Sequence, residues 1–99
     1  MIETRLLHYF LAIAREENIT KAAETLYVTQ STLSKQMMDL EKQLGKQLFI
    51  RGKRKLTLTE EGLFLRDRAR EIMLLLDNTE EAFHTDTKEL SGRDRKSVV

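Results

Sequence analysis

Ninety-nine residues, 40% of them hydrophobic and 33% charged, suffice for one small domain and its core, not for two. Seventeen Lys and Arg against sixteen Asp and Glu leave a formal charge of +1, so no overall field draws the chain to nucleic acid or membrane, and any electrostatic function is local. The lack of cysteine excludes a disulfide scaffold, a zinc ribbon and a thiol nucleophile, and apolar runs such as residues 73–76 fall far below the roughly 20 residues of a membrane span. A soluble cytoplasmic protein is expected, with no cofactor and no metal.

With no proline and four glycines, the chain reads as mainly helical. Ile2, Leu6, Tyr9, Phe10 and Ile13 share one helical face, which predicts a first helix over about residues 3–17, stopped by Asn18 in left-handed backbone. Thr20 is read as the N-cap of a short second helix through residues 21–26, with Glu24 near a reciprocal capping position. Ala22 and Ala23 fit two readings, close approach of another helix or simple helix propensity.

Thr29 caps a third helix from residue 30 to about 44, closed by Gly45. Leu33, Met37, Leu40 and Leu44 point from it into a core, while Ser31, Ser34, Lys35, Met38 and Lys42 lie opposite. That outer face is small and polar in its first half and carries no carboxylate before Asp39.

Residues 47–51 and 55–59 are short β-prone runs that predict a hairpin. In residues 51–55, between and overlapping them, four of five side chains are cationic, the only dense run of one sign before the tail. Thr59 caps a final helix, with Glu60 and Glu61 at its positive end. Leu65, Ala69, Ile72, Leu76, Thr79 and Phe83 form a heptad seam on it, continued by Asp86 and Leu90. Residues 60–90 would span about 45 Å, more than this domain can cover, so part of the apolar face meets a partner. Packing on its own domain would account for Leu63 and Phe64 but not for Leu76 and Phe83. Gly62, unfavourable in a helix, implies a closely packed neighbour, for which the third helix is the expected candidate.

The order of elements predicts a mainly α fold: a winged helix-turn-helix of three helices and a two-strand β-wing (residues 1–58), then a long linker and dimerisation helix (59–90). Residues 91–99 fit neither part and read as a disordered end, a hinge remnant or vector-derived residues. A helix enters the major groove when its leading side chains are small and its hydroxyls, amides and cations reach base edges. Gln30, Ser31, Thr32, Ser34, Lys35 and Met38 suit that task. Gln30 is suited to adenine, Lys35 to guanine or phosphate, and Met38 or the Thr32 methyl to a thymine methyl. Arg51, Lys53, Arg54 and Lys55 would grip phosphates or enter the adjacent minor groove. The interface positions of the seam are Leu65, Ala69, Ile72, Leu76 and Phe83.

Residues 2–65 resemble the DNA-binding region of LysR-type bacterial transcriptional regulators, and residues 59–90 resemble their linker helix. The resemblance is carried by Leu7-His8-Tyr9-Phe10, Ile19-Thr20-Lys21-Ala22-Ala23-Glu24-Thr25-Leu26 and Val28-Thr29-Gln30-Ser31-Thr32-Leu33-Ser34-Lys35-Gln36-Met37. It continues through Leu40-Glu41-Lys42-Gln43-Leu44-Gly45, Leu48-Phe49-Ile50-Arg51 and Leu58-Thr59-Glu60-Glu61-Gly62. It implies a homodimer joined by antiparallel linker helices on a partly palindromic operator, with small-molecule sensing by a C-terminal domain that this chain lacks. It places base contacts at Gln30, Ser31, Thr32, Ser34 and Lys35, and wing contacts at Arg51, Lys53 and Arg54. Ser31 departs from the proline common in the family and restores an amide donor there, and Glu17 replaces a frequent glycine.

Two other functions are weighed. For an enzyme the best candidates are His8 and His84, which stand on different helices, without a ligand-spaced cluster or a glycine-rich phosphate loop. A module that binds another protein would be insensitive to salt, whereas a DNA binder loses affinity steeply as salt rises.

Overall fold

The computed structural model describes residues 1–84; the expectations for Asp86, Leu90 and the tail lie outside the described residues. Within them, four helices and two strands follow in the order α1 (Thr4–Glu16), α2 (Ile19–Leu26), α3 (Gln30–Leu44), β1 (Phe49–Arg51), β2 (Leu56–Leu58) and α4 (Glu60–His84). This is the mainly helical winged helix-turn-helix with a long final helix that the sequence predicts.

One core joins these elements. Leu6, Leu7, Phe10 and Ile13 of α1 meet Ala22 and Ala23 of α2, Leu33, Met37 and Leu40 of α3, and Leu48 before β1. The Phe10 ring lies 5.3 Å from that of Phe49 at a tilt of 47°. Ala22 and Ala23 are buried, which marks them as a surface where α2 approaches its neighbours closely.

The corner between α1 and α2 is displaced by one residue from its expected place. Glu17, not Asn18, takes the left-handed conformation (φ 55°), and its N–H bonds the Ile13 carbonyl at 2.8 Å. Such backbone costs a side-chain-bearing residue about 1 kcal/mol. Contacts with the hairpin oppose that cost: the Glu17 carbonyl accepts from the Leu56 N–H at 3.2 Å, and its carboxylate meets Lys55 Nζ at 3.7 Å. Asn18 then caps α2 by accepting from the Lys21 N–H at 2.9 Å. Starting the helix there brings Ile19 into it and against the core, and Thr20 becomes the second residue of the helix instead of its cap.

The boundaries of α3 follow the expectation. Thr29 Oγ1 accepts from the Thr32 N–H at 3.1 Å, and Gly45 closes the helix at φ 71°. The hairpin strands are shorter than the β-prone runs and pair antiparallel, Phe49 with Leu58 and Arg51 with Leu56. Gly52 closes the tip by donating its N–H to the Lys55 carbonyl at 3.0 Å.

Thr59 fastens α4 to the hairpin base. Its hydroxyl donates to the Gln47 carbonyl at 2.7 Å and accepts from the Gly62 N–H at 3.0 Å, while its own N–H bonds the Leu48 carbonyl at 3.0 Å. A Cβ at Gly62 would collide with that Leu48 carbonyl and lie 3.2 Å from Leu58 Cβ, so the close neighbour is the hairpin base and not α3.

The face of α4 used by its own domain also differs from expectation. Leu65 and Ala69 are buried in the core, with Met73 packed beside them, whereas Leu63 and Phe64 are exposed. Two positions of the expected seam are therefore taken up within the chain. Of the others, Ile72 and Phe83 are exposed and Leu76 is half-buried, and Leu75 adds a further exposed apolar side chain. With 25 residues α4 is about 37 Å long, and it stretches the described chain to 56 × 26 × 22 Å. No helix among the described residues is long and apolar enough to cross a membrane.

Candidate nucleic-acid interface

The burial of Leu33, Met37 and Leu40 turns the other side of α3 outward: Ser31, Lys35, Met38 and Lys42 are all exposed. The N-terminus of α3 adds unpaired backbone N–H groups and the positive end of a helix dipole, a setting favourable to an anion. Thr32 is exposed, with its hydroxyl drawn into the capping turn, where it accepts from Thr29 Oγ1 at 2.8 Å. Ser34 is half-buried on the flank that faces β1.

The wing cations divide into two groups. Arg51, the last residue of β1, reaches back to α3 and donates from Nη2 to Ser34 Oγ at 3.3 Å. At the tip, Lys53 and Arg54 are exposed and have no carboxylate partner among the described residues. Lys55, which the sequence groups with the other wing cations, is turned to Glu17 at 3.7 Å instead. Glu41, an acid close to this cationic surface, is occupied in accepting the Leu48 N–H at 2.8 Å, which holds the strand entry against α3. An open groove of about 320 Å³ runs between Met38 of α3 and Ile50 and Arg51 of β1.

The structure thus brings the predicted Ser34 and Arg51 into contact, and leaves Lys53 and Arg54 standing off at the tip. It also adds a residue that the sequence predicts as a helix cap. Thr20 Oγ1 donates across the turn to Gln30 Oε1 at 3.2 Å. The signal for it was the asparagine two positions earlier, which is itself a full N-cap and leaves the threonine hydroxyl for other use. Tyr27, in left-handed backbone at φ 59°, is 95% exposed in the same turn, and the sequence reading gave it no role. Among the described residues no group of three or more His, Cys, Asp or Glu is placed to hold a metal ion.

Residues 4–63 match the family described as bacterial regulatory helix-turn-helix protein, lysR family. The chain belongs to the lysR family. BsdA, an HTH-type transcriptional regulator of Bacillus subtilis, is 47% identical over 73 residues, 73% of this chain and 25% of BsdA. The Hca operon transcriptional activator HcaR of Escherichia coli is 48% identical over 67 residues, 67% of this chain and 23% of HcaR. The lysR-family chain therefore spans about a quarter of the length of these relatives. Its fold superposes on the crystal structure of a BenM_DBD/benA site 1 DNA complex at a TM-score of 0.81 and 37% identity, over 84% of this chain and 93% of that one. BenM is an HTH-type transcriptional regulator of Acinetobacter baylyi. A CbnR_DBD–DNA complex gives a TM-score of 0.79 at 35% identity, over 84% of this chain and 95% of that one.

Proposed function

We propose that this chain binds duplex DNA sequence-specifically as a homodimer and is the DNA-binding part of a cytoplasmic transcriptional regulator. The observation that carries the reading is the joined surface of α3 and the wing, where a slim polar helix face lies beside cations with no carboxylate partner. Gln30, Ser31, Thr32, Ser34, Lys35 and Met38 read the major groove, and Arg51, Lys53 and Arg54 hold phosphates or reach the adjacent minor groove. The DNA complexes of BenM_DBD and CbnR_DBD support this reading, since the chain matches 93% and 95% of those domains.

The partner assigned to α4 is a second copy of this chain. Ile72, Leu75, Phe83 and Phe64 are exposed, and the Arg68 guanidinium lies 5.2 Å from the Phe64 ring centre. Antiparallel pairing of two such helices would bury these side chains and present two recognition helices to a partly palindromic operator. Residues 1–58 then form the binding unit and residues 59–90 the linker. The small-molecule sensing that the family resemblance implies belongs to a C-terminal domain.

Selection from a random duplex pool, followed by mobility-shift titration at rising salt, tests the proposal. An enriched inverted repeat whose affinity falls steeply with salt is expected, because each neutralised phosphate releases counterions. An unenriched pool, or binding indifferent to salt, would overturn it.

A further inference from the structure

We propose that Arg51 is a positioning residue for base readout: by donating to Ser34 it makes the serine hydroxyl a hydrogen-bond donor toward the DNA, so that a wing residue sets what a recognition-helix residue reads. The inference rests on the reading of α3 as the element that enters the major groove.

A serine hydroxyl has one hydrogen to donate and two lone pairs to accept with, and a guanidinium only donates. At 3.3 Å from Arg51 Nη2, Ser34 Oγ is therefore the acceptor. Its hydrogen then needs another partner. A helical Ser or Thr commonly gives that hydrogen back to a carbonyl of the preceding turn. Thr25 does so to Ala22 at 2.9 Å, and Thr79 to Leu75 at 2.7 Å. Among the described residues Ser34 makes no such bond, so its hydrogen is left for a group outside the chain.

A cation at the oxygen also polarises the O–H bond, which strengthens the hydroxyl as a donor and weakens it as an acceptor. Ser34 paired with Arg51 is thereby biased toward a base acceptor such as guanine O6 or thymine O4, and against the amino groups of cytosine and adenine. The guanidinium keeps further N–H groups for a phosphate. Arg51 thus differs from Lys53 and Arg54, which are exposed at the hairpin tip and, among the described residues, make no hydrogen bond to α3.

The test uses the best duplex from the pool selection and its single-base variants, titrated with the parent chain, Ser34→Ala, Arg51→Ala, the double variant and Arg54→Ala. The parent should prefer one base pair about tenfold at the position Ser34 reads. Ser34→Ala should flatten that preference, Arg51→Ala should flatten it at the same position, and the double variant should flatten it no further. Arg54→Ala should lower affinity on every duplex and keep the preference. Arg51→Ala weakening all duplexes equally, or Ser34→Ala changing no preference, would overturn the coupling while the recognition reading stands. A parent without base preference at any position would overturn both.

Discussion

Gly62 of α4 rests against the backbone carbonyl of Leu48 with no room for a methyl group between them. In an ordinary helix, alanine is favoured over glycine by about 1 kcal/mol. Here that gain meets an overpacking cost of about 1–3 kcal/mol, and the obstacle cannot rotate away, because the same carbonyl accepts the Thr59 N–H. Gly62→Ala is expected to lower Tm by several degrees, about 4–8 °C for each kcal/mol lost in a domain of this size. Thermal unfolding at matched protein concentration checks this, and a variant melting above the parent would show that the hairpin base yields.

The two sides of α4 should respond differently to the same charge. Leu65→Glu puts a carboxylate without a partner into the core and is expected to unfold the domain, seen as lost helical circular dichroism. Leu75→Glu places it on the exposed face and is expected to leave the helices intact while sedimentation shows a monomer. A Leu75→Glu variant that sediments as a dimer would remove this face from the interface.

The hydrogen bond from Thr20 to Gln30 holds the carbonyl end of the glutamine amide toward α2 and leaves its NH2 as an outward donor. Thr20→Val keeps the shape and removes the bond. It should shift base preference opposite Gln30 by about 3–10-fold, the scale of one neutral hydrogen bond, with stability within about 0.5 kcal/mol of the parent. Unchanged preferences in a repeated pool selection would show that Gln30 reads without this support.

Lys35 and Arg54 should separate by salt and sequence. Lys35→Ala is expected to weaken binding on the selected site far more than on unrelated duplex. Arg54→Ala should weaken both alike and reduce the salt slope by about 1. Mobility-shift titrations over a range of salt concentrations would contradict the assignment if the two variants behaved the same way.

Much of this was legible from side-chain periodicity. Leu33, Met37 and Leu40 marked the inward face of α3, and the Thr29 and Gly45 caps marked its ends, because both signals act within one or two turns of backbone. The α1–α2 corner was not legible. Asn18 and Thr20 are both good caps, and the choice between them is made by distant contacts: Ile19 against the core, and Glu17 against Leu56 and Lys55 of the hairpin. Tertiary packing likewise decided the heptad seam. A run of leucines on α4 offers several registers, and the contact with α1 and the hairpin base takes Leu65 and Ala69 while leaving Phe64 and Leu75 outside. The contact of Ser34 with Arg51 spans 17 positions, a separation at which local pattern carries no signal.

Because Thr59 and Gly62 anchor α4 to the wing at its first turn, the rod and the reading head share one rigid frame. In the homodimer proposed above, the interval between the two heads would then be a built-in ruler. A duplex whose half-sites lie at some other interval has to bend or change its winding to be held, and that deformation energy depends on the stiffness of central base pairs that no side chain touches.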